Sequence, residues 1–311
     1  MEEIKDFDSL YTNTLLPLAN KLKDEARQTL AWKITGIVCP ILVFILFFSL
    51  GSLPGSFVGY SILFLVVLFI VCIYKYSDKK DSFTDDYKAT VIKEIINYID
   101  PNFTYLPDKT ISKNDYITSS LVRYFFTYFN GSDYIEGTYK DIYFHFSAIR
   151  ALADRAADGE DDAFTIFKGF FIIANVNCSG CTYIYNKEEL QLPQKLAYLY
   201  NHLLSMPPVN SVSFDDDEFN KHFKVYSNYT EEAIAILTPE RRSDMIKLNK
   251  LVDKPVAFSF VRGNCYTAIP TTNNVLRPYT FDPADKNEIK DDFDTINFIP
   301  KVIDYLKLYK M

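Results

Sequence analysis

Cys178-Ser179-Gly180-Cys181 is the segment whose residue types and spacing come closest to a chemical motif. Two cysteines separated by two residues can hold half of a metal site or exchange a disulfide. A zinc site needs two further ligands, and outside the most apolar part of the chain there is one more cysteine, Cys265. A redox pair works best at the start of a helix, whose dipole lowers the thiol pKa. Asn177-Cys178-Ser179-Gly180 instead reads as a turn between two strands. Cys178 and Cys181 are therefore weak metal candidates, and neither a metal nor a cofactor is expected.

Other chemistry-bearing residues are sparse. The three histidines, His145, His202 and His222, form no metalloprotease pattern, and His145 alternates with aromatics as in a half-buried strand. There is no nucleophile-elbow serine, phosphate-binding glycine loop or dinucleotide fingerprint, so no catalytic residue is assigned. Asp215, Asp216, Asp217 and Glu218 lack the spacing and glycine of a calcium loop and suit the start of a short helix. On the helix expected over 239–252, Met245, Leu248 and Val252 make an apolar side. Arg241, Arg242, Lys247, Lys250 and nearby Lys254 lie largely off it, where they could touch anionic headgroups or a partner. Nucleic acid is not an expected partner, because residues 75–311 carry 28 basic and 34 acidic side chains.

The elements that would position these groups begin with the hydrophobic pattern. The 311-residue chain is 48% hydrophobic with net charge −7, which by itself describes an acidic globular protein. The segment 34–74 departs from that average, with no charged residue and 30 apolar positions out of 41. It divides at Leu53-Pro54-Gly55 into stretches of about 34–53 and 56–74, each long enough to cross a bilayer as a helix. Lys21, Lys23, Arg27 and Lys33 precede the pair, and Lys75, Lys79 and Lys80 follow it. The positive-inside rule then puts both termini in the cytoplasm and the short loop outside. Trp32, Tyr74 and Tyr76 fall where interfacial aromatics anchor a span.

Apolar stripes flank this transmembrane hairpin. Phe7, Leu10, Tyr11, Leu15, Leu18, Leu22 and Ala26 form one within 1–33; Phe83, Tyr87, Val91, Ile95 and Tyr98 form another within 75–100. Both have helical spacing, so the two segments are expected to pair as an antiparallel stalk. From 101 to 311 the pattern turns mixed: a turn at Asn130-Gly131-Ser132-Asp133, strands around Tyr139-Lys140-Asp141, and a central strand Phe164–Ala174 hairpinned to Cys181–Tyr185. Helices are expected over 196–204, from Thr238-Pro239-Glu240 onward, and over 294–309, with a second hairpin across Arg262-Gly263-Asn264. This predicts an α+β cytoplasmic domain around an antiparallel sheet.

Four motifs in order carry a family resemblance: Gly131-Ser132-Asp133-Tyr134-Ile135-Glu136-Gly137, Phe167-Lys168-Gly169-Phe170-Phe171, the stretch from Asp216 to Ser227, and Ala233-Ile234-Ala235-Ile236-Leu237-Thr238-Pro239. With the paired spans, the chain resembles the bacterial domain-of-unknown-function family numbered three-one-three-seven along essentially its whole length. Asp217 and His222 depart from the proline and arginine common in that family. The resemblance implies a membrane-anchored protein of the bacterial inner membrane with no catalytic residues to transfer, and points to LemA-type membrane proteins as partners. The expected function is an interaction or scaffold module, with self-association open to a stalked protein. The alternatives are a membrane-associated enzyme of unknown reaction and a lipid-headgroup binder.

Overall fold

The computed structural model describes residues 7–48, 55–121, 126–153, 164–187, 209–252, 255–271, 276–278 and 282–311. The Leu53-Pro54 turn, the whole acidic stretch 154–162, the helix expected over 196–204, His202 and Lys254 lie outside them. Contacts divide the chain into two units, one holding residues 1–99 and Leu276–Asp294, the other Asp100–Val275 and Thr295–Met311. The sequence alone did not suggest that Leu276–Asp294 belongs with the N-terminal helices.

The first unit is helical. Helix α1 (Phe7–Leu10), a wider π turn Tyr11–Leu15 and α2 (Leu16–Lys21) lead into α3 (Lys23–Phe48). Helix α4 (Gly55–Tyr87) continues through a second π turn, Lys88–Ile92, into α5 (Lys93–Ile99). Two of these helices are long and apolar enough to cross a membrane. They run antiparallel: Thr29 Oγ1 lies 3.4 Å from the Lys79 carbonyl, and a Cβ on Gly36 would meet the Cys72 Cβ at 3.5 Å. Along the expected stripes Leu15, Leu22, Ala26, Phe83, Tyr87, Val91 and Ile95 are buried, with Ala19 buried beside them. Segment 276–294 completes the unit. Tyr87 donates to Asp292 Oδ2 at 2.8 Å, Leu276 N donates to Asp292 Oδ1 at 3.1 Å, and the Phe7 and Phe293 rings lie 5.3 Å apart.

The second unit is built on a nine-stranded antiparallel sheet. In chain order it contains β1 (Thr104–Leu106), α6 (Lys113–Ser119), β2 (Tyr128–Tyr139), β3 (Ile142–Ala153), β4 (Phe164–Asn175), β5 (Cys181–Asn186) and β6 (Asn210–Val212). There follow α7 (Asp217–His222), β7 (Phe223–Ser227), α8 (Thr230–Ile236), α9 (Pro239–Val252), β8 (Ala257–Val261) and β9 (Asn264–Pro270). Helix α10 (Lys286–Leu306) begins in the first unit and ends in the second. The strand order is β1-β2-β3-β4-β9-β8-β5-β7-β6.

Turn chemistry sets the hairpins. Lys140 and Asp141 both take positive φ, 48° and 64°, between β2 and β3; Arg262 and Gly263 do the same at 46° and 88° between β8 and β9. These two-residue turns match the twist of the strands they join. Two expectations are corrected. Asn130-Gly131-Ser132-Asp133 is no turn but lies within β2, whose register to β3 shifts between Ser132 and Ile135, with Asp133 at φ 61°. The bulge gives the same Gly/Asn/Asp signal as a reversal without ending the strand. Strand β5 pairs with β7 and β8, while β4 pairs with β9, so Cys181–Tyr185 does not hairpin onto Phe164–Ala174. Within β4, Gly169 answers a close approach: a Cβ there would collide with the Ile269 carbonyl and sit 2.8 Å from Pro270 Cα.

Candidate functional site

The loop from β4 to β5 carries the cysteine pair and is held by its neighbours' polar groups. Ser179 N and Gly180 N each donate to a different oxygen of the Glu232 carboxylate at 2.7 Å, and Cys181 N donates to Asn228 Oδ1 at 2.7 Å. Gly263 N donates to the Cys178 carbonyl at 2.8 Å and lies 3.3 Å from its sulfur. Glu232 thus sits in a nest of loop amides, an arrangement that binds anions elsewhere and here binds the protein's own carboxylate. Cys178, Cys181 and Cys265 are free and buried. Burial pushes the Cys178 thiol up and the Cys265 thiol up to about 12, the opposite of the depressed values that make thiols reactive. Among the described residues no three His, Cys, Asp or Glu side chains converge as metal ligands.

Helix α9 begins as its sequence requires, with Thr238 Oγ1 accepting from Arg241 N at 3.3 Å and Pro239 in the first turn. Its first two cations are placed differently from the sequence expectation. Arg241 and Arg242 are buried, 6% and 8% exposed, so neither presents a surface charge to headgroups. Arg241 donates to the carbonyls of Leu306, at 2.6 Å, and Ile236, which closes the C-terminal ends of α10 and α8. The negative ends of those helix dipoles offset the burial, which pulls the guanidinium pKa down. Arg242 bonds Asp216 Oδ2 at 2.8 Å and the Leu237 carbonyl at 2.8 Å, with its guanidinium 4.8 Å from the Phe214 ring centroid. Helical periodicity misplaced these residues because it cannot see α8 and α10 ending against them. Lys247 and Lys250 are exposed and pair with Asp244 and Glu218.

Beside this helix start lies a cavity of about 330 Å³, lined by Asn177, Glu232, Thr238, Arg241, Lys307 and Lys310 among others. Its charges are largely engaged: Glu232 with the loop amides, and Lys307 with Glu240 and Asp244. The cavity is shaped but carries no poised acid, base or nucleophile.

A second polar cluster, which the sequence did not single out, occupies one face of β2 and β3. Glu136 Oε2 accepts from Tyr143 at 2.8 Å and from Tyr134 at 2.9 Å. His145 stands directly opposite Glu136 in the ladder, with its ring 5.8 Å from that of Tyr134. Its Nδ1 is buried and finds no hydrogen-bond partner among the described residues. The Lys109 ammonium lies 3.8 Å from the Tyr134 ring centroid. The hydroxyls of Tyr143 and Tyr134 hold Glu136 below the usual carboxylate range, and burial pushes His145 down. The available signal was the alternation Tyr134/Glu136 and Tyr143/His145 on adjacent strands, which becomes a cluster only once the hairpin register is known.

Residues 165–308 match the family described as "Protein of unknown function (DUF3137)".

The DUF3137 match takes in all but the first residue of β4, the strands through β9, the cysteine loop, Asp216, α9 and all of α10, slightly under half the chain. Three of the four motifs that suggested the family lie inside it; the Gly131–Gly137 motif and the apolar helices lie before it. No curated protein and no solved structure matches the chain. The DUF3137 description names no activity and so assigns no role to Cys178, Glu232 or Arg241.

The surface of α3 and α4 is unlike that of the DUF3137 segment. Of 25 large apolar side chains exposed among the described residues, 18 lie between Ile34 and Tyr74, including Phe44, Phe48, Leu63 and Phe64. Trp32 and Tyr76 are half-buried beside this region, and Tyr74 is 68% exposed.

Proposed function

We propose that this protein is a membrane-anchored interaction module, with α3 and α4 crossing the bilayer and the nine-stranded unit serving as a cytoplasmic scaffold for another membrane protein. The observation that carries the reading is the apolar surface of α3 and α4. Soluble monomers rarely expose contiguous apolar patches beyond a few hundred Å², and a bilayer is the solvent that removes the cost of this one. The cations at both ends of the hairpin favour cytoplasmic termini, and Trp32, Tyr74 and Tyr76 suit the interfaces. An inner-membrane setting and a LemA-type partner rest on the family resemblance.

A scaffold role fits the chemistry better than catalysis does. The Cys178 and Cys265 thiols are pushed toward their inert forms, and the Glu232 and Lys307 charges at the cavity are committed to the protein's own groups. Headgroup binding through α9 is weakened by the burial of Arg241 and Arg242, which leaves Lys247 and Lys250 as its described cations. Crosslinking in intact membranes followed by affinity capture of the full chain tests the reading. A stoichiometric membrane partner is expected. Recovery of the protein from the soluble fraction after alkaline extraction overturns the anchor, and capture of the chain alone from membranes overturns the scaffold.

A further inference from the structure

Strand β1 is three residues long and meets β2 at Tyr134, Ile135 and Glu136, so the residues that hold the edge of the sheet are also those of the polar cluster. Glu136 spends one oxygen on two phenols, while the imidazole across the ladder has a buried nitrogen with no partner among the described residues. A buried polar atom left in that state calls for an explanation. The groups around His145 come from several elements. They are Tyr134 and Glu136 on β2, Tyr143 on β3, Asp115 on α6 and Lys109 from the β1–α6 connection. Strand β4 places Ile173 opposite it, and the next residue along that row is Tyr266 on β9.

We propose that His145 and Glu136 form a proton-operated latch on the β1 edge of the sheet. In the latched form the imidazole is neutral, and Glu136 accepts from Tyr134 and Tyr143. A proton from solvent adds to the imidazole, and no other reactant is needed. The new imidazolium draws the Glu136 carboxylate across the strand pair, and its bond replaces those to the two phenols. Tyr134 is 7% exposed and loses its acceptor in a buried site, while Lys109, stacked on its ring, meets a new positive charge. Both effects weaken the short β1 pairing at Tyr134–Glu136.

The signs separate this device from ordinary acid unfolding. Burial lowers the His145 pKa in the folded state, so the latched form is fully favoured above the ordinary histidine value near 6.5. That preference is lost as pH falls below it. Glu136 is also lowered, but its contribution is lost only below the ordinary glutamate range near 4.5. Between pH 7.5 and 5.5 Glu136 therefore stays ionised, and a response of this pair comes from the histidine.

The test is amide hydrogen exchange of the full chain in detergent micelles at pH 7.5 and 5.5, corrected for intrinsic exchange rates. Protection of residues 104–106 and 134–136 should fall at pH 5.5, by no more than tenfold per pH unit since one proton is involved. Protection in β8 and β9 should not change. His145→Gln should remove the response. Because that variant could fold poorly, the ring resonance of His145 in the unsubstituted chain gives an independent reading, and its titration should follow the loss of protection. Equal protection of the β1 edge at both pH values, a response that survives His145→Gln, or a His145 titration at or above 6.5 overturns the latch.

Discussion

The guanidinium Nε of Arg242 lies 2.8 Å from Oδ2 of Asp216, while Oδ1 of the same carboxylate accepts from Phe219 N at 3.0 Å and caps helix α7. One partly buried pair thus ties the start of α7 to the first turn of α9. Asp216→Ala removes the cap and strands a mostly buried guanidinium, so it should lower unfolding stability by about 3–5 kcal/mol in denaturant titration of the full chain. Asp216→Asn keeps an acceptor for the cap and should cost less. The bonds from Arg242 and from Phe219 N hold this carboxyl below the usual aspartate value. Its contribution is therefore fully present above about 3.9 and lost as pH falls through the lower folded value. Asp216→Asn should flatten the stability profile in that acid range alone. A profile as steep as that of the unsubstituted chain would count against the pairing.

Glu232 organises the cysteine loop from a distance of about fifty residues in sequence. Glu232→Ala leaves the amides of Ser179 and Gly180 without their acceptor and should loosen the loop with little change elsewhere in the sheet. Thiol labelling reads this directly. In the folded protein Cys178 and Cys265 should react slowly, because burial raises their pKa values and limits access. Glu232→Ala should accelerate Cys178 several-fold and leave Cys265 slow until global unfolding. Equal rates for Cys178 in both proteins would show that the carboxylate does not hold the loop.

Gly169 lies where β4 and β9 approach too closely for a side chain. A Cβ there would meet the backbone of Ile269 and Pro270, and backbone cannot swing aside as a flexible side chain can. Gly169→Ala should destabilise by about 1–3 kcal/mol, the range for forced overpacking. Gly59→Ala, at a helical position with nothing within 4 Å of the added carbon, serves as the neutral comparison in thermal denaturation.

What the sequence made legible follows from the range of the forces that act. The hairpins at Lys140-Asp141 and Arg262-Gly263 and the caps at Asp216 and Thr238 depend on a few adjacent residues, and each formed where its local signal stood. The burial of Leu15, Leu22, Ala26, Phe83, Tyr87, Val91 and Ile95 falls on the stripes that helical spacing marked in the flanking segments. Strand partners were not legible: β5 contacts β8 across some seventy residues, and nothing local distinguishes that choice from pairing with β4. Arg241 and Arg242 misled for the same reason. A long basic side chain reads as solvent-facing until the carbonyls that satisfy it, those of Ile236, Leu237 and Leu306, are brought in by other elements. The Glu136–His145 cluster likewise exists only through the β2–β3 register.

The apolar helices permit a test in which water and lipid give opposite signs. Phe64 is 67% exposed on α4, away from the seam that buries Cys39 and Cys72. If α4 were a surface helix in water, Phe64→Lys would leave stability nearly unchanged and improve solubility, because it removes exposed apolar area. If α4 crosses a bilayer, a lysine near the middle of the span costs about 2.5–3.5 kcal/mol of insertion free energy. Membrane insertion of the substituted hairpin should then fall markedly, whereas Lys79→Gln beyond the span should insert as the unsubstituted chain does. Quantifying the alkali-resistant membrane fraction of each variant decides the matter. A Phe64→Lys protein that remains membrane-bound in full would remove the lipid-facing assignment of α4, and with it the anchor on which the proposed scaffold depends.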